Sequence, residues 1–227
     1  MISSAHSLSW PVRCKLFAGL DDTALRQILS AAQIRRIAPA KNVILQGGRP
    51  DNLFLLKTGR ARFYVLTESG SDLLLLWVVA GDVIGLASLL ASPPAYLASA
   101  ATVTGCEFLV WDHGAIRRLA RAYPQLMENG FKLALHHLEA YIKRHISIMT
   151  KSAEARLAQT LLQLATGAGE VQRSGVIIDI TNEQLSSLSD ISPFTASRLL
   201  SKWEHDGRLS KQRGRVTLLA PESLMIA

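Results

Sequence analysis

Cysteine is scarce in this sequence, with one residue at position 14 and one at position 106 among 227. Two thiols are too few for a disulfide framework, a four-thiolate zinc site or an iron–sulfur cluster. Cys106 lies in an apolar, strand-like run, where a cysteine usually serves as a small buried residue. Cys14 lies near the N-terminus, where we expect it to be exposed, and a redox role for it stays open.

Long apolar runs are also missing. No run approaches the ~18–20 residues that a membrane-spanning helix needs. The N-terminal sequence lacks the basic-then-apolar order of a signal peptide. We therefore expect a cytoplasmic protein without a membrane partner. The chain also has no phosphate-binding loop, no Ser-His-Asp signature and no metal-ligand spacing, so the sequence does not indicate an enzyme.

Acidic residues are the minority among the charged ones. The chain has 18 Asp and Glu against 25 Lys and Arg, which gives a net charge of +7. This balance favours a polyanionic partner such as nucleic acid. Hydrophobic residues make up 48% of the chain, enough for a sizeable core in one large or two ordinary domains.

Residues 181–215 carry the most specific pattern in the sequence. Thr181 and Gln184 form a capping box that starts one short helix. Ser192 is a second N-cap, and Pro193 occupies the first helical position after it. An apolar stripe then recurs at helical spacing. Its members are Ala196, Leu199, Leu200 and Trp203.

The other face of this second helix carries short hydrogen-bond donors and cations, and a hairpin with the sequence Arg-Gly-Arg follows. Between residues 192 and 215, six Lys and Arg stand against two acids. This combination predicts a helix-turn-helix with a basic wing, whereas the alternative is a helical hairpin with a solvated polar face. The predicted DNA contacts are Ser192, Pro193, Phe194, Thr195, Ser197, Arg198, Lys202, Lys211 and Arg213.

Upstream, short strand-like runs separated by glycines occupy residues 40–112 and favour an antiparallel sandwich or jelly roll. The whole chain is therefore predicted to be α+β. We divide it into a jelly-roll domain (1–123), a long helix (124–151) and a winged helix-turn-helix domain (152–227).

The long helix has an apolar seam with alternating spacings of three and four residues, as in a coiled coil. A parallel copy of the same helix is the simplest partner for such a seam, although the seam could instead pack on its own jelly roll. The predicted dimer contacts are Leu135, Leu138, Tyr141, Ile142, His145, Ile148 and Met149.

Five segments resemble the CRP/FNR family of bacterial transcription regulators. They are LFAGL (16–20), VILQGGRPDNLFLLKTGRARFY (43–64), VAGDVIGLASLL (79–90), ARLAQTLLQLA (155–165) and TNEQLSSLSDISPFTASRLLSKWEHDGRL (181–209). The resemblance implies a homodimer that binds palindromic promoter DNA, works with RNA polymerase and is controlled by an effector. It also implies a sensor role for residues 1–123 and dimerisation for residues 124–151.

The chain departs from the family pattern at three places. Where cAMP-responsive members have a Glu and an Arg, this chain has Leu86, after Gly85, and about Ser99. Without a fixed cation for the phosphate, the resemblance argues against cAMP. The cysteine cluster of the iron–sulfur oxygen sensors is absent. The recognition-helix pattern R-E-x-x-x-R becomes Pro193, Phe194 and Arg198, so only the last cation remains.

The effector therefore stays open. A pocket near Gly85, Leu86, Tyr96 and Ser99 is one candidate site. Haem is another candidate, because relatives in the family bind it and a histidine can serve as an axial ligand. The histidines considered are His6, His113, His136, His137 and His145. Alternative functions are a cyclic-nucleotide-type module that regulates a partner protein and a structural DNA-binding dimer without an effector.

Overall fold

The computed structural model describes residues 14–68, 70, 72–172 and 175–226. The chain forms two compact units, one ending at Glu139 and the other beginning at Ala140. This division falls inside the longest helix, α3, which spans Gln125–Thr150. Our sequence-based boundary lay after that helix. Among the described residues, no helix is long and apolar enough to cross a membrane.

The N-terminal unit is a sandwich of two four-stranded sheets, with strand orders β1-β8-β3-β6 and β2-β7-β4-β5. Every pairing in these two sheets is antiparallel. The predicted β-rich sandwich is therefore confirmed. Its elements are α1 (Asp22–Ser30), β1 (Gln33–Ile37), β2 (Asn42–Ile44), β3 (Asn52–Thr58), β4 (Ala61–Leu66), β5 (Asp72–Val78), β6 (Val83–Ile84), β7 (Ser99–Thr102), β8 (Cys106–Asp112) and α2 (His113–Ala122).

Strand β3 is buried on both faces. Successive side chains of a strand point to opposite sides of the sheet, so they enter two different cores. Phe54 and Leu56 face the core between the two sheets. Leu53 and Leu55 face a second core, which α1, α2 and the start of α3 cover. The N-terminal unit therefore has three layers, and its central sheet is covered by the other sheet on one side and by helices on the other.

Cys14 belongs to the core beneath the helices, so the expectation that it is exposed was wrong. It is 4% exposed, and burial raises the pKa of its thiol to about 11. A neutral buried thiol is a poor nucleophile at neutral pH, which argues against a redox role. Cys106 is buried as predicted, and its Sγ donates to the Arg60 carbonyl at 3.3 Å.

The C-terminal unit combines helices with one small antiparallel sheet of order β11-β12-β10-β9. Helix α4 continues through Gly167 and ends at Ala168, before Gly169. The strands β11 and β12 form the predicted wing. The elements of this unit after α3 are α4 (Ala153–Ala168), β9 (Glu170–Gln172), β10 (Gly175–Ile178), α5 (Asn182–Ser189), α6 (Pro193–His205), β11 (Leu209–Gln212) and β12 (Arg215–Leu218).

Capping interactions define the helix-turn-helix as the sequence predicted. Thr181 and Gln184 form both hydrogen bonds of the capping box at the start of α5. The Ser192 Oγ accepts the Thr195 N–H at 3.0 Å, and Pro193 is the first residue of α6. Between the helices, Asp190 adopts the left-handed conformation, with φ of 51°. The stripe from Ala196 to Trp203 is buried, which fixes α6 onto its own unit.

Candidate nucleic-acid interface

Helix α6 turns a polar and cationic face towards solvent. Ser192, Pro193, Phe194, Arg198 and Lys202 are exposed. The other two predicted contacts on this helix, Thr195 and Ser197, are half-buried. The structure therefore brings all seven predicted residues of this helix to one accessible surface, opposite the buried stripe.

The wing hairpin adds a second exposed element next to this helix. Gln212 pairs with Arg215, so Arg213 and Gly214 form a two-residue turn. Gly214 has φ of +74°, a conformation that glycine adopts without strain in such turns. Arg213 is exposed at the tip, whereas Lys211 is half-buried on β11.

The cations of this surface fall into two groups, tethered and free. Lys202 Nζ donates to Glu154 Oε1 at 2.9 Å. Lys211 Nζ donates to Ser201 Oγ at 2.6 Å and lies 3.5 Å from Glu204. Arg198 and Arg213 make no hydrogen bond or ion pair with any described residue. These two guanidinium groups can therefore reach an incoming anion without breaking an existing contact.

The carboxylate of Glu154 connects α4 to the recognition helix. Besides the Lys202 ammonium, it accepts the Trp203 indole N–H at 3.2 Å. These two hydrogen bonds hold the pKa of Glu154 below its usual value, and the bond from Lys202 has the larger effect. The carboxylate of Glu154 therefore holds the Lys202 ammonium against α4 and also accepts the hydrogen bond of the buried Trp203.

Two arginines hold the turn between α5 and α6. Arg156 donates to the carbonyls of Ser189 at 2.9 Å and Asp190 at 2.8 Å, and also to those of Ile148 and Lys151. Sequence reasoning missed this residue, because its four acceptors become neighbours only in the folded unit. The second arginine, Arg144, donates to the Ser187 carbonyl at 2.7 Å, and its burial lowers the pKa of its guanidinium. The turn is therefore tied to the end of α3 and the start of α4.

An open groove runs between the start of α5 and the wing. The hydroxyl and amide side chains of Thr181 and Asn182 lie on one side, and Arg213 lies on the other. The remaining lining residues are Glu183, Lys211, Gln212 and Gly214. The groove therefore brings the free cation of the wing close to a helix start.

Helix α3 exposes most of the predicted dimer seam. Leu135, Leu138, Tyr141, Ile142, His145 and Met149 are exposed. Ile148 is half-buried, so it lies off the exposed stripe. Phe131 and Ile146, which were not among the predicted contacts, are also exposed on this helix. Positions 131, 135, 138, 142, 145 and 149 then alternate in steps of four and three, the spacing of a coiled-coil seam.

The four residues predicted to line an effector pocket make contacts within the N-terminal unit. The Tyr96 hydroxyl donates to the Asn52 carbonyl at 3.1 Å, and a Cβ on Gly85 would lie 3.4 Å from that hydroxyl. Ser99 is buried, and its Oγ accepts the Gln46 N–H at 3.0 Å. Leu86 instead packs in the core beneath the helices. Gly85 and Tyr96 therefore lie close together, whereas Ser99 is bonded to Gln46 and Leu86 packs beneath the helices.

The candidate histidines that the structure describes lie on α3 and at the start of α2. The rings of His136 and His137 are 6.4 Å apart on α3, and His145 lies two turns further along. His113 Nε2 lies 3.0 Å from the Leu90 carbonyl, and His6 lies outside the described residues. No group of three or more His, Cys, Asp or Glu in the described part of the chain could hold a metal ion.

Two segments of the chain match the sequence models of known domain families. A cyclic nucleotide-binding domain model matches residues 34–123, which cover the sandwich. A Crp-like helix-turn-helix domain model matches residues 155–226, which cover α4 to the wing. Helix α3 lies between the two matches.

Curated relatives and solved structures agree with these matches. The cAMP-activated global transcriptional regulator CRP of Salmonella typhimurium is 23% identical over 190 residues, covering 83% of this chain and 90% of that protein. A CRP-like cAMP-activated global transcriptional regulator of Mycobacterium tuberculosis is 22% identical over 214 residues, covering 93% of this chain and 95% of that protein. The structure of the c-di-GMP responsive global regulator CLP of Xanthomonas campestris superposes with a TM-score of 0.75 and 18% sequence identity. The superposition covers 87% of this chain and 99% of that protein's chain.

Proposed function

Because the chain belongs to the CRP/FNR family of DNA-binding transcription regulators, we propose that it acts as a homodimer on palindromic promoter sites. In this proposal, residues 1–123 form a domain with a sensory or structural role, residues 124–151 pair two copies of the chain, and residues 152–227 bind DNA. RNA polymerase is the expected further partner. The proposed activity is binding, without catalysis.

The observation that carries the proposal is the pair of free arginines on the helix-turn-helix unit. Phosphate contacts supply affinity and base contacts supply specificity. Arg198 lies on the exposed face of α6, where a guanidinium can bind guanine O6 and N7 bidentately. Arg213 at the wing tip, beside the groove at the start of α5, is suited to a phosphate of the flanking backbone.

The exposed seam of α3 supports the homodimer. The six positions in heptad spacing present one phenylalanine, two leucines, one isoleucine, one histidine and one methionine to solvent. An apolar stripe of this length is stabilised when a second copy covers it. Two recognition helices in a symmetric dimer would then enter successive major grooves about 34 Å apart, which requires a palindromic site.

The effector in our proposal is not cAMP, although the two curated relatives are cAMP-activated. A cyclic phosphate in an apolar pocket needs a cation or several donors. Gly85, Leu86 and Ser99 provide no charged group, and the Tyr96 hydroxyl is already engaged. Haem stays as a candidate, since His136, His137 and His145 are exposed and imidazole is a suitable axial ligand.

The experiment that tests the function is selection of bound sequences from random duplex DNA by the full-length protein. We expect an enriched palindrome whose half-site centres lie one helical turn apart, and a footprint on both half-sites. Enrichment of no sequence would contradict the proposal. It would favour instead the ligand-binding module that regulates a partner protein.

The same selection, repeated with protein purified with and without added haem, tests the effector. A Soret band together with a change in DNA affinity would support a haem-controlled regulator. Equal affinity in both preparations, with no Soret band, would reject haem and leave the effector-free dimer.

A further inference from the structure

The N-terminal tip of α6 is apolar. Pro193 and Phe194 are both exposed, and 78% of the surface of Phe194 is accessible to solvent. Neither side chain has a hydrogen-bond donor or acceptor. This tip therefore cannot distinguish base pairs by hydrogen bonding, unlike the Arg-Glu pair that the family pattern has at these positions.

Phe194 does not contribute to the core of its unit. The buried residues of α6, from Ala196 to Trp203, lie on the opposite face. Burial of a phenylalanine side chain is worth roughly 1.5–3 kcal/mol, and the free chain does not gain that stabilisation at this position. The ring is therefore available to a partner.

The surroundings of Phe194 fit a polyanion. Arg198 lies one turn further along the same face of α6, and the free Arg213 lies on the wing. Lys202 follows on the next turn. An apolar side chain among cations does not suit an apolar protein surface, which would have to desolvate those charges. It suits the major groove, where phosphates flank the base edges.

Among the base edges in the major groove, the one apolar group is the thymine C5-methyl. Building on the DNA-binding function proposed above, we propose that Phe194 is a specificity-determining residue that selects thymine through this methyl group, next to a guanine that Arg198 selects. Each half-site would then contain one thymine whose methyl group packs against the phenyl ring.

Phe194 and Arg198 are neighbours on the exposed face of this turn. Ser192 Oγ accepts the Thr195 N–H and lies 2.9 Å from Thr195 Oγ1, so both hydroxyls are engaged in the helix cap. Phe194 and Arg198 are separated by four residues, which corresponds to about 6 Å along the helix axis. At 3.4 Å per base pair, the thymine and the guanine should lie within about two steps of each other.

Replacement of thymine by deoxyuridine removes only the methyl group and therefore tests the proposal directly. The full-length protein is titrated with the selected duplex in which each thymine is replaced in turn by uracil. Loss of one buried methyl group should weaken binding about fourfold at one position per half-site. Uracil at other positions should have no effect.

Variants at Phe194 assign the effect to its ring. Phe194→Ala should bind the thymine and uracil duplexes with equal affinity, and Phe194→Leu should keep part of the difference. Val171→Ala is the matched control, because Val171 is 80% exposed and lies in the same unit on β9. It should keep the full fourfold difference.

Two results would overturn the inference alone: a wild-type protein that tolerates uracil at every position, or a Phe194→Ala variant that keeps the uracil penalty. In both cases, an enriched operator would leave the proposed DNA-binding function standing. If selection enriches no sequence, the proposed function fails and this inference fails with it.

Discussion

The two units treat their predicted site residues in opposite ways. In the C-terminal unit, α6 buries its apolar stripe and leaves Phe194 and Arg198 exposed on the other face. In the N-terminal unit, Gly85, Tyr96 and Ser99 make contacts within the sandwich itself. One unit presents its predicted residues to a partner, and the other uses them to hold its own fold.

The range of the interactions explains this difference. The readers on α6 are brought together by helical spacing of three and four residues, which any helix of this sequence reproduces. The sandwich joins Tyr96 to Asn52, 44 residues away, and Ser99 to Gln46, 53 residues away. Local spacing can therefore predict an exposed helix face, but it cannot predict which groups fill a sandwich.

Substitution of Leu138 by Glu should have the largest effect, because Leu138 lies in the proposed dimer seam of α3. The division between the two units falls within this helix. In a paired seam, this change would lose an apolar contact in both copies and bury two carboxylates, so dimer affinity should fall by about 100-fold or more. Sedimentation over a range of concentrations measures it. Ala140→Glu, off the seam on the same helix, is the control. A Leu138→Glu protein that remains dimeric would show that the seam packs elsewhere.

Arg198→Ala should separate a free cation from a tethered one. Loss of a bidentate guanine contact costs ~1–3 kcal/mol, so operator affinity should fall about 5- to 150-fold while affinity for random DNA changes little. Lys202→Ala should weaken both equally and more modestly, because Glu154 already shares that charge. Titrations of both duplexes at several salt concentrations measure this. Equal losses for Arg198→Ala would make Arg198 a phosphate contact.

Tyr96→Phe, in the N-terminal unit, should lower the stability of the protein and leave its DNA affinity unchanged, the reverse of Arg198→Ala. It removes the hydroxyl that donates to the Asn52 carbonyl, which should lower the free energy of unfolding by about 1 kcal/mol. DNA affinity should be unchanged. Urea unfolding and DNA titration on the same preparation measure the two quantities. A change in DNA affinity without a loss of stability would instead indicate that Tyr96 belongs to an effector site.

Thiol reactivity should show the smallest effect. Burial raises the pKa of Cys14 to about 11 and also raises that of Cys106. Both thiols are therefore protonated at pH 8, and neither should react with a thiol reagent until the protein is unfolded. Any reaction of Cys14 in the native protein should accelerate as the pH rises towards about 11. Rapid reaction at pH 8 would reopen the redox role.

The helix-turn-helix could be predicted almost completely. The caps at Thr181 and Ser192, the proline at the start of α6 and the buried stripe ending at Trp203 are all as expected. The caps depend on hydrogen bonds within one helical turn, and the stripe follows from helical spacing, although α4, α5 and β11 are what cover it. The burial of Cys14 could not be predicted, because it depends on α1, β3, β8, α2 and the start of α3, most of which are distant from it in the sequence.

The sequence by itself determined the helix-turn-helix, the exposed face of α6 and the presence of Phe194 where the family pattern has a glutamate. Only the tertiary structure decided which cations stay free. Lys202 meets Glu154 across 48 residues of chain, and Arg156 reaches the turn at Ser189 across 33. Arg198 meets no such partner among the described residues. The reason is that helical periodicity specifies the direction of a side chain, whereas its pairing depends on the segment that the fold places beside it.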